Sequence, residues 1–235
     1  MTDLFPSLGR AIGQLGDPAI LRVLAKTIGI TLAVFAVLAV AGHFALQAFL
    51  ERFGLFAGFE YTFLLTILIV IVAGWLMFRI LALAVLQFFA DEVVLAVEAK
   101  HYPAAFESAH ALPFREDLRN SLKGLVRALA VNLAAMPLAI LLLFTGIGTA
   151  LAFWAANGWL LGRELHDMVW LRHRAQASEA PAPEYVLPAG SRFLLGGAIA
   201  ALMLVPFLNL LAPIIGAATA THMVHRRRLA DMGLA

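Results

Sequence analysis

"PFLNLLAPIIGA", residues 206–217, lies inside a run from Phe193 to Thr221 that carries no charged residue. Its neighbours would let the chain cross a bilayer as a helix. Yet Pro206, Asn209 and Pro213 stand near the middle, where proline removes a helical hydrogen bond and asparagine carries polarity into lipid. Irregular backbone at membrane depth is tolerated only where protein or a watery cavity satisfies its polar groups. Two crossings need about 17–25 residues each plus a turn, and this run is too short for that. We read it as a helical hairpin over 193–221 that enters the membrane and returns. Pro206 ends one half-helix, and a second starts with either Asn209 as its cap or Pro213 in its first turn.

A second run has the same plan. Residues 128–162 carry no charge, and "TGIGT" at 145–149 interrupts them at the centre. Glycine is the residue that permits a sharp turn, so the reading is a hairpin over 128–162 with Gly146, Gly148 and Thr149 at its tip, Thr149 serving as cap. The first turn of a buried half-helix presents unpartnered amides and a partial positive charge, a ready anion site. The alternative at both tips is a plain tight turn whose amides bond locally.

Two further apolar stretches are long enough to cross, 27–50 and 61–82. At 1.5 Å per residue the first spans about 36 Å against a hydrocarbon core of about 30 Å. The basic residues give the orientation. Arg10, Arg22 and Lys26 precede or open the first span, whereas Arg52 stands alone in 51–60. Lys100, Arg115, Arg119, Lys123 and Arg127 follow the second span. Arg163, Arg172, Arg174 and Arg192 separate the hairpins, and Arg226, Arg227 and Arg228 come last. By the positive-inside rule only 51–60 faces outward, which requires two full spans followed by two segments that return to their side of entry. Both termini are then expected in the cytoplasm, and 91–127 is expected to form amphipathic helices there or at the interface. "RAQASEAPAPEYVLPAGSR" (174–192) reads as an Ala/Pro-rich linker.

Composition supports the class. Of 235 residues 62% are hydrophobic and only 14% charged, against about half and a quarter in soluble domains. The net charge of +2 comes from basic residues flanking apolar runs, which read as topology signals rather than a nucleic-acid surface. "AVAG" at 39–42 offers a signal-peptidase-like site, but it lies too far into the chain for a cleaved leader. Cysteine is absent, so thiol catalysis, disulfides and zinc–thiolate sites are excluded. The expected fold is therefore an all-α membrane protein in one domain, 1–235. It has two long transmembrane helices and two re-entrant, partly penetrating hairpins.

Three segments carry a family resemblance: "QFFADEVVLAVEAKHYP" (87–103), "NGWLLGRELHDMVWLRHR" (157–174) and "VPFLNLLAPIIGAATATHMVHR" (205–226). With "LGDPAILRVLAK" (15–26), they resemble the CysZ-like, etoposide-induced membrane proteins of bacteria. The resemblance implies an oligomer in the inner membrane and a role in sulfate uptake. It also implies anion contacts from basic residues at the start of the first helix. Arg22 matches that position, Val23 replaces the adjacent basic residue of the pattern, and Lys26 follows one turn on.

Spaced i, i+4, Arg22 and Lys26 share a helix face where charge-assisted hydrogen bonds can hold a dianion. The alternative is snorkelling to lipid headgroups. Asn209 is the further candidate anion contact. Arg79 interrupts the second span. Asp91 and Glu98 share a face and are read as ion-pair formers toward Arg79 or Arg127. Arg163 and Asp167 are placed for a helix-surface pair, with His166 a candidate for proton coupling. Glu107 and His110 match only a fragment of a di-iron motif. His222 and His225 share a face, but three adjacent arginines disfavour a metal, so no metal site and no cofactor are expected. No catalytic or nucleotide-binding motif is present. The function expected is ATP-independent passage of sulfate or a similar small oxyanion. The second reading is a non-conducting membrane scaffold or auxiliary subunit, and the third a membrane enzyme, which no acid–base set in the sequence suggests.

Overall fold

The computed structural model describes residues 3–53, 90–110, 113–173, 185–205 and 208–234, and every regular element among them is helical. In chain order these are α1 (Leu4–Gly13), α2 (Pro18–Phe53), α3 (90–101), α4 (Pro103–Ser108), α5 (Phe114–Leu141), α6 (Gly148–Trp170), α7 (Ala189–Leu202) and α8 (Leu208–Asp231). The expected span at 61–82, Arg79, Pro206 and most of the Ala/Pro-rich linker lie outside the described residues. The chain divides into two compact units, 1–20 with 90–235, and 21–89.

Of the second unit, the described part is the body of α2. Two helices among the described residues are long and apolar enough to cross a membrane, over Pro18–Gly42 and Leu122–Thr145. Only 19% of the first window and 6% of the second is buried within the chain. A core helix of a soluble protein would bury most of its apolar surface, so this exposure suits a lipid-facing helix. The first overlaps the expected span 27–50 but starts earlier. Asp17 is extended and Pro18, whose fixed φ suits a first helical position, opens the helix.

In the first unit α5 packs on α6, and α7 on α8, two helix–turn–helix pairs where two hairpins were expected. The first pair differs in reach. Its expected start at 128 rested on the last cation, Arg127, but α5 is already helical at Phe114 and continues through Pro137. Long basic side chains can reach the interface from a helix that continues past them, so charge did not mark the helix boundary. The α5 arm is consequently long enough to cross a bilayer by itself.

α8 is the centre of this unit. Residues 212–225 are buried on every side, against α1, α6 and α7. Its buried hydroxyls bond within the helix, Thr219 Oγ1 to the Ile215 carbonyl at 2.6 Å and Thr221 Oγ1 to that of Ala217 at 2.8 Å. α6 and α7 meet through glycines. A Cβ on Gly196 would strike the Gly158 carbonyl oxygen and the Gly162 amide, and one on Gly162 would strike the Arg192 carbonyl. Without side chains the two backbones touch, the small-residue packing that joins helices in lipid. The Trp154 indole N–H donates to the Gly197 carbonyl across the same seam, at 3.0 Å.

Candidate functional site: a buried histidine–carboxylate cluster and the expected anion contacts

The apolar stripe of α3, Ala90, Val93, Val94 and Val97, is buried, and Glu98 extends it with zero exposure. An acid placed there must find partners or neutralise. Glu98 Oε1 lies 2.9 Å from His173 Nε2 and 3.0 Å from His225 Nε2, both rings donating to the one oxygen. Arg172 Nε stands 3.7 Å from Oε2. Burial raises the Glu98 carboxyl, but the hydrogen bonds and charges of His173 and His225 outweigh it. The group titrates at about 2 and is a carboxylate at neutral pH. Aromatic rings hold the histidines. His173 lies flat on Tyr185 at 4.3 Å, and Tyr102 stacks on His225 at 4.6 Å.

One turn before His225, His222 is engaged at both ring nitrogens. The Gln14 amide donates to its Nε2 at 2.7 Å, and its Nδ1 faces the Tyr102 hydroxyl at 2.8 Å. With the amide donating to Nε2, the ring's one proton sits on Nδ1 and no acceptor awaits a second. Burial, reinforced by the charges of His101, Arg10, His225 and Arg226, pushes this imidazole down to about 4. Sequence reading paired His222 with His225 as one weak metal-binding face. The structure gives them different partners.

His166 fastens another segment. Its Nε2 meets the Leu187 amide at 3.1 Å and the Tyr185 carbonyl oxygen at 3.3 Å, and its Nδ1 faces Asp167 Oδ1 at 3.5 Å. Arg163 pairs with Asp167 at 3.6 Å, as the i, i+4 spacing predicts. Glu98 does share helix α3 with Asp91, but it is buried while Asp91 is exposed. Its partners are His173, His225 and Arg172 rather than Arg127, and the other expected partner, Arg79, lies outside the described residues. His110 donates its backbone amide to the Arg172 carbonyl at 2.9 Å, and Glu107 and His110 are both exposed.

The expected tips take different forms. At 142–147 Thr145, not Thr149, receives the Gly148 amide on its Oγ1, at 2.9 Å. Thr149 Oγ1 instead donates back to the Ala139 carbonyl in α5, at 2.8 Å. Gly146 turns the chain at φ +78°, a conformation costly for any residue with a Cβ. Side chains around the turn are bare and apolar, Phe144 at 95% exposure and Ile147 at 72%. At the second tip, α8 as described starts at Leu208, so Asn209 sits within its first turn rather than capping it. Its amide donates to the Val205 carbonyl at 3.0 Å. Pro213 follows inside α8. Arg22 and Lys26, in the other unit, are exposed on α2 beside the buried Val23 and Thr27.

Sequence reading missed the Glu98–His173–His225 cluster because its members stand 75 and 127 residues apart. One local signal existed, an acid in phase with the valine stripe of α3.

Two long apolar helices that stay mostly unburied within the chain, with titratable groups enclosed elsewhere among the described helices, define a helical membrane protein. The family model described as "Sulfate transporter CysZ/Etoposide-induced protein 2.4" matches residues 7–213. The chain belongs to that family. Its members are transporters rather than catalysts, in keeping with the non-enzyme reading. No curated protein and no solved structure matches the chain.

Proposed function

We propose that this protein passes a small oxyanion, sulfate foremost, across the bacterial inner membrane without ATP. The observation that carries the reading is the family match over 7–213 combined with Arg22 and Lys26 at the start of the span Pro18–Gly42. Both cations are exposed on one helix face, where a guanidinium fork and an ammonium can share a dianion. Asn209 is the weaker contact: its backbone amide is engaged by Val205, which leaves its side chain to act. In this reading the termini face the cytoplasm, the α5–α6 and α7–α8 pairs are re-entrant, and copies of the chain associate around a shared pore.

The test is radiolabelled sulfate binding and uptake in proteoliposomes, competed by sulfite, thiosulfate and phosphate. Replacing Arg22 and Lys26 together by glutamine is expected to lower flux with assembly intact. Unchanged flux removes those two residues from the pathway. Failure of all four anions to bind the parent protein replaces transport by the scaffold reading.

A further inference from the structure

The oxyanion reading leaves the Glu98 cluster unused, although it is the most completely buried group of titratable side chains described. Glu98 comes from α3, His173 from the turn that ends α6, and His225 from α8. Their ligand-type atoms all lie within 4.8 Å of one another, and no side chain of the three is more than 2% exposed. We propose that Glu98, His173 and His225 form a site for a zinc-type divalent cation that ties these three elements together.

The hydrogen-bonding supports an ion. Without one, both imidazoles donate to the same oxygen, Oε1, and the buried Oε2 has no hydrogen-bond partner among the described residues. Its nearest cation, Arg172 Nε at 3.7 Å, is beyond hydrogen-bond range and likewise unbonded. A buried carboxylate oxygen left this way costs about 1–3 kcal/mol, and a metal would use it. Moving each ring proton from Nε2 to Nδ1 frees two lone pairs aimed at the carboxylate, without net loss of a proton. The geometry is close. Ligands about 2.0–2.1 Å from a tetrahedral ion stand about 3.4 Å apart; the two imidazole–Oε1 separations, 2.9 and 3.0 Å, need open by a few tenths of an ångström, and all three ligand atoms lie within 4.8 Å of one another. Tyr185 and Tyr102 already hold the two rings by stacking.

Ligand chemistry selects the ion. Two imidazoles and one carboxylate suit Zn²⁺ and its neighbours, whereas Mg²⁺ and Ca²⁺ take oxygen shells. Arg172 beside the carboxylate offsets part of its charge, which further disfavours weakly bound hard cations. The arginines that argue against a metal at His222 also follow His225, with Arg228 over the Tyr185 ring at 4.6 Å, and the group that offsets their charge, the Glu98 carboxylate, comes from another helix.

The full chain, purified through a histidine-free handle and stripped with chelator, is titrated with Co²⁺ and then Zn²⁺. Expected are one ion per chain, the strong visible absorption of four-coordinate Co²⁺, its bleaching by Zn²⁺, and a thermal midpoint raised by about 5 °C. His173→Gln with His225→Gln should abolish all four. If the parent protein gives no absorption and no thermal shift, or the double variant gives the same spectrum, the proposal is overturned. Should the double variant not fold, X-ray absorption of the zinc-loaded parent decides: two imidazoles with a carboxylate support the site, and any other ligand set overturns it. Sulfate flux plays no part in these readouts, so the outcome is independent of the oxyanion reading.

Discussion

The turn at 142–147 and the cluster around Glu98 invert the usual distribution of polar and apolar groups. The turn shows bare Leu141, Leu143, Phe144 and Ile147 to its surroundings, with its polar atoms bonded at home through Thr145. Around Glu98, a carboxylate and three histidines are sealed inside, every polar contact they make coming from the chain itself and one carboxylate oxygen, Oε2, left without a hydrogen bond. In water the first is unfavourable and the second costly. In a bilayer the first becomes ordinary, and the second needs only internal satisfaction. The contrast says where each part gets its stability: the turn from its surroundings, the cluster from its own contacts.

The seam on which the cluster's scaffold depends should show the largest effect. Gly196→Ala places a Cβ against the Gly158 carbonyl and the Gly162 amide, backbone atoms that no rotamer change can move aside. Separating α6 from α7 is the only relief, and we expect a loss of about 3 kcal/mol or more, or no folded protein at all. Thermal unfolding in detergent checks it. Gly124→Ala, where a Cβ meets nothing within 4 Å, is the control and should stay near the parent.

Next comes the cluster itself. Glu98→Ala leaves two buried imidazoles facing a void, and we expect about 2–4 kcal/mol of destabilisation without added metal. Glu98→Gln keeps one acceptor and should cost less. If Glu98→Ala unfolds like the parent, the cluster does not hold its three elements and the contrast with the turn collapses.

These two predictions differ in how legible their sites were. The contact of Gly158 and Gly162 with Gly196 was not read from the sequence, whereas the two helix–turn–helix positions were anticipated from charge-free runs broken by glycine or proline. A first membrane-length helix was also legible, because length and apolarity alone decide whether a helix can cross, but the stretch runs over Pro18–Gly42 rather than 27–50. The start of α5 was not, since Lys123 and Arg127 sit within a helix that continues past them. The roles of Thr145 and Thr149 were exchanged, because which hydroxyl reaches the Gly148 amide depends on the path of a four-residue 3₁₀ turn, not on spacing. The cluster was least legible of all. Glu98, His173 and His225 meet only once α3, α6 and α8 have packed, and no local pattern announces a contact across 127 residues.

Acid should separate the two regions further. An unfolded imidazole titrates near 6.5, and His222 in the folded chain titrates at about 4. Between those values the unfolded state binds a proton that the folded state refuses. Stability is therefore full above about pH 6.5 and falls as pH drops toward 4, by up to about 3 kcal/mol. The groups facing His222 are Arg10 from α1 and Gln14 just after it, His101 at the end of α3 and Tyr102 just after it, and His225 and Arg226 on α8. His225 is lowered as well, chiefly by burial, so it adds to the same slope. Glu98 acts in a separate window, losing its contribution only as pH falls from about 4.5 to about 2. His222→Gln should flatten the upper window, as read by metal-free unfolding curves at stepped pH. The turn at 142–147 has no titratable residue, and no change there should alter the profile.

The smallest stability effect is expected at Phe144, and it carries the most information about the membrane. At 95% exposure its ring has almost no contact within the chain, so Phe144→Cys should change unfolding in detergent by less than about 0.5 kcal/mol. Because the chain has no native cysteine, the introduced thiol is the sole target for a water-soluble maleimide. In sealed vesicles a re-entrant turn buried in hydrocarbon should label slowly from either side, and quickly once detergent is added. Rapid labelling from the periplasmic face would mean that α5 crosses completely, as its length allows, and that the turn is an external loop. The apolar rim would then need a partner outside the lipid, and the inversion between turn and cluster would no longer be explained by the bilayer alone.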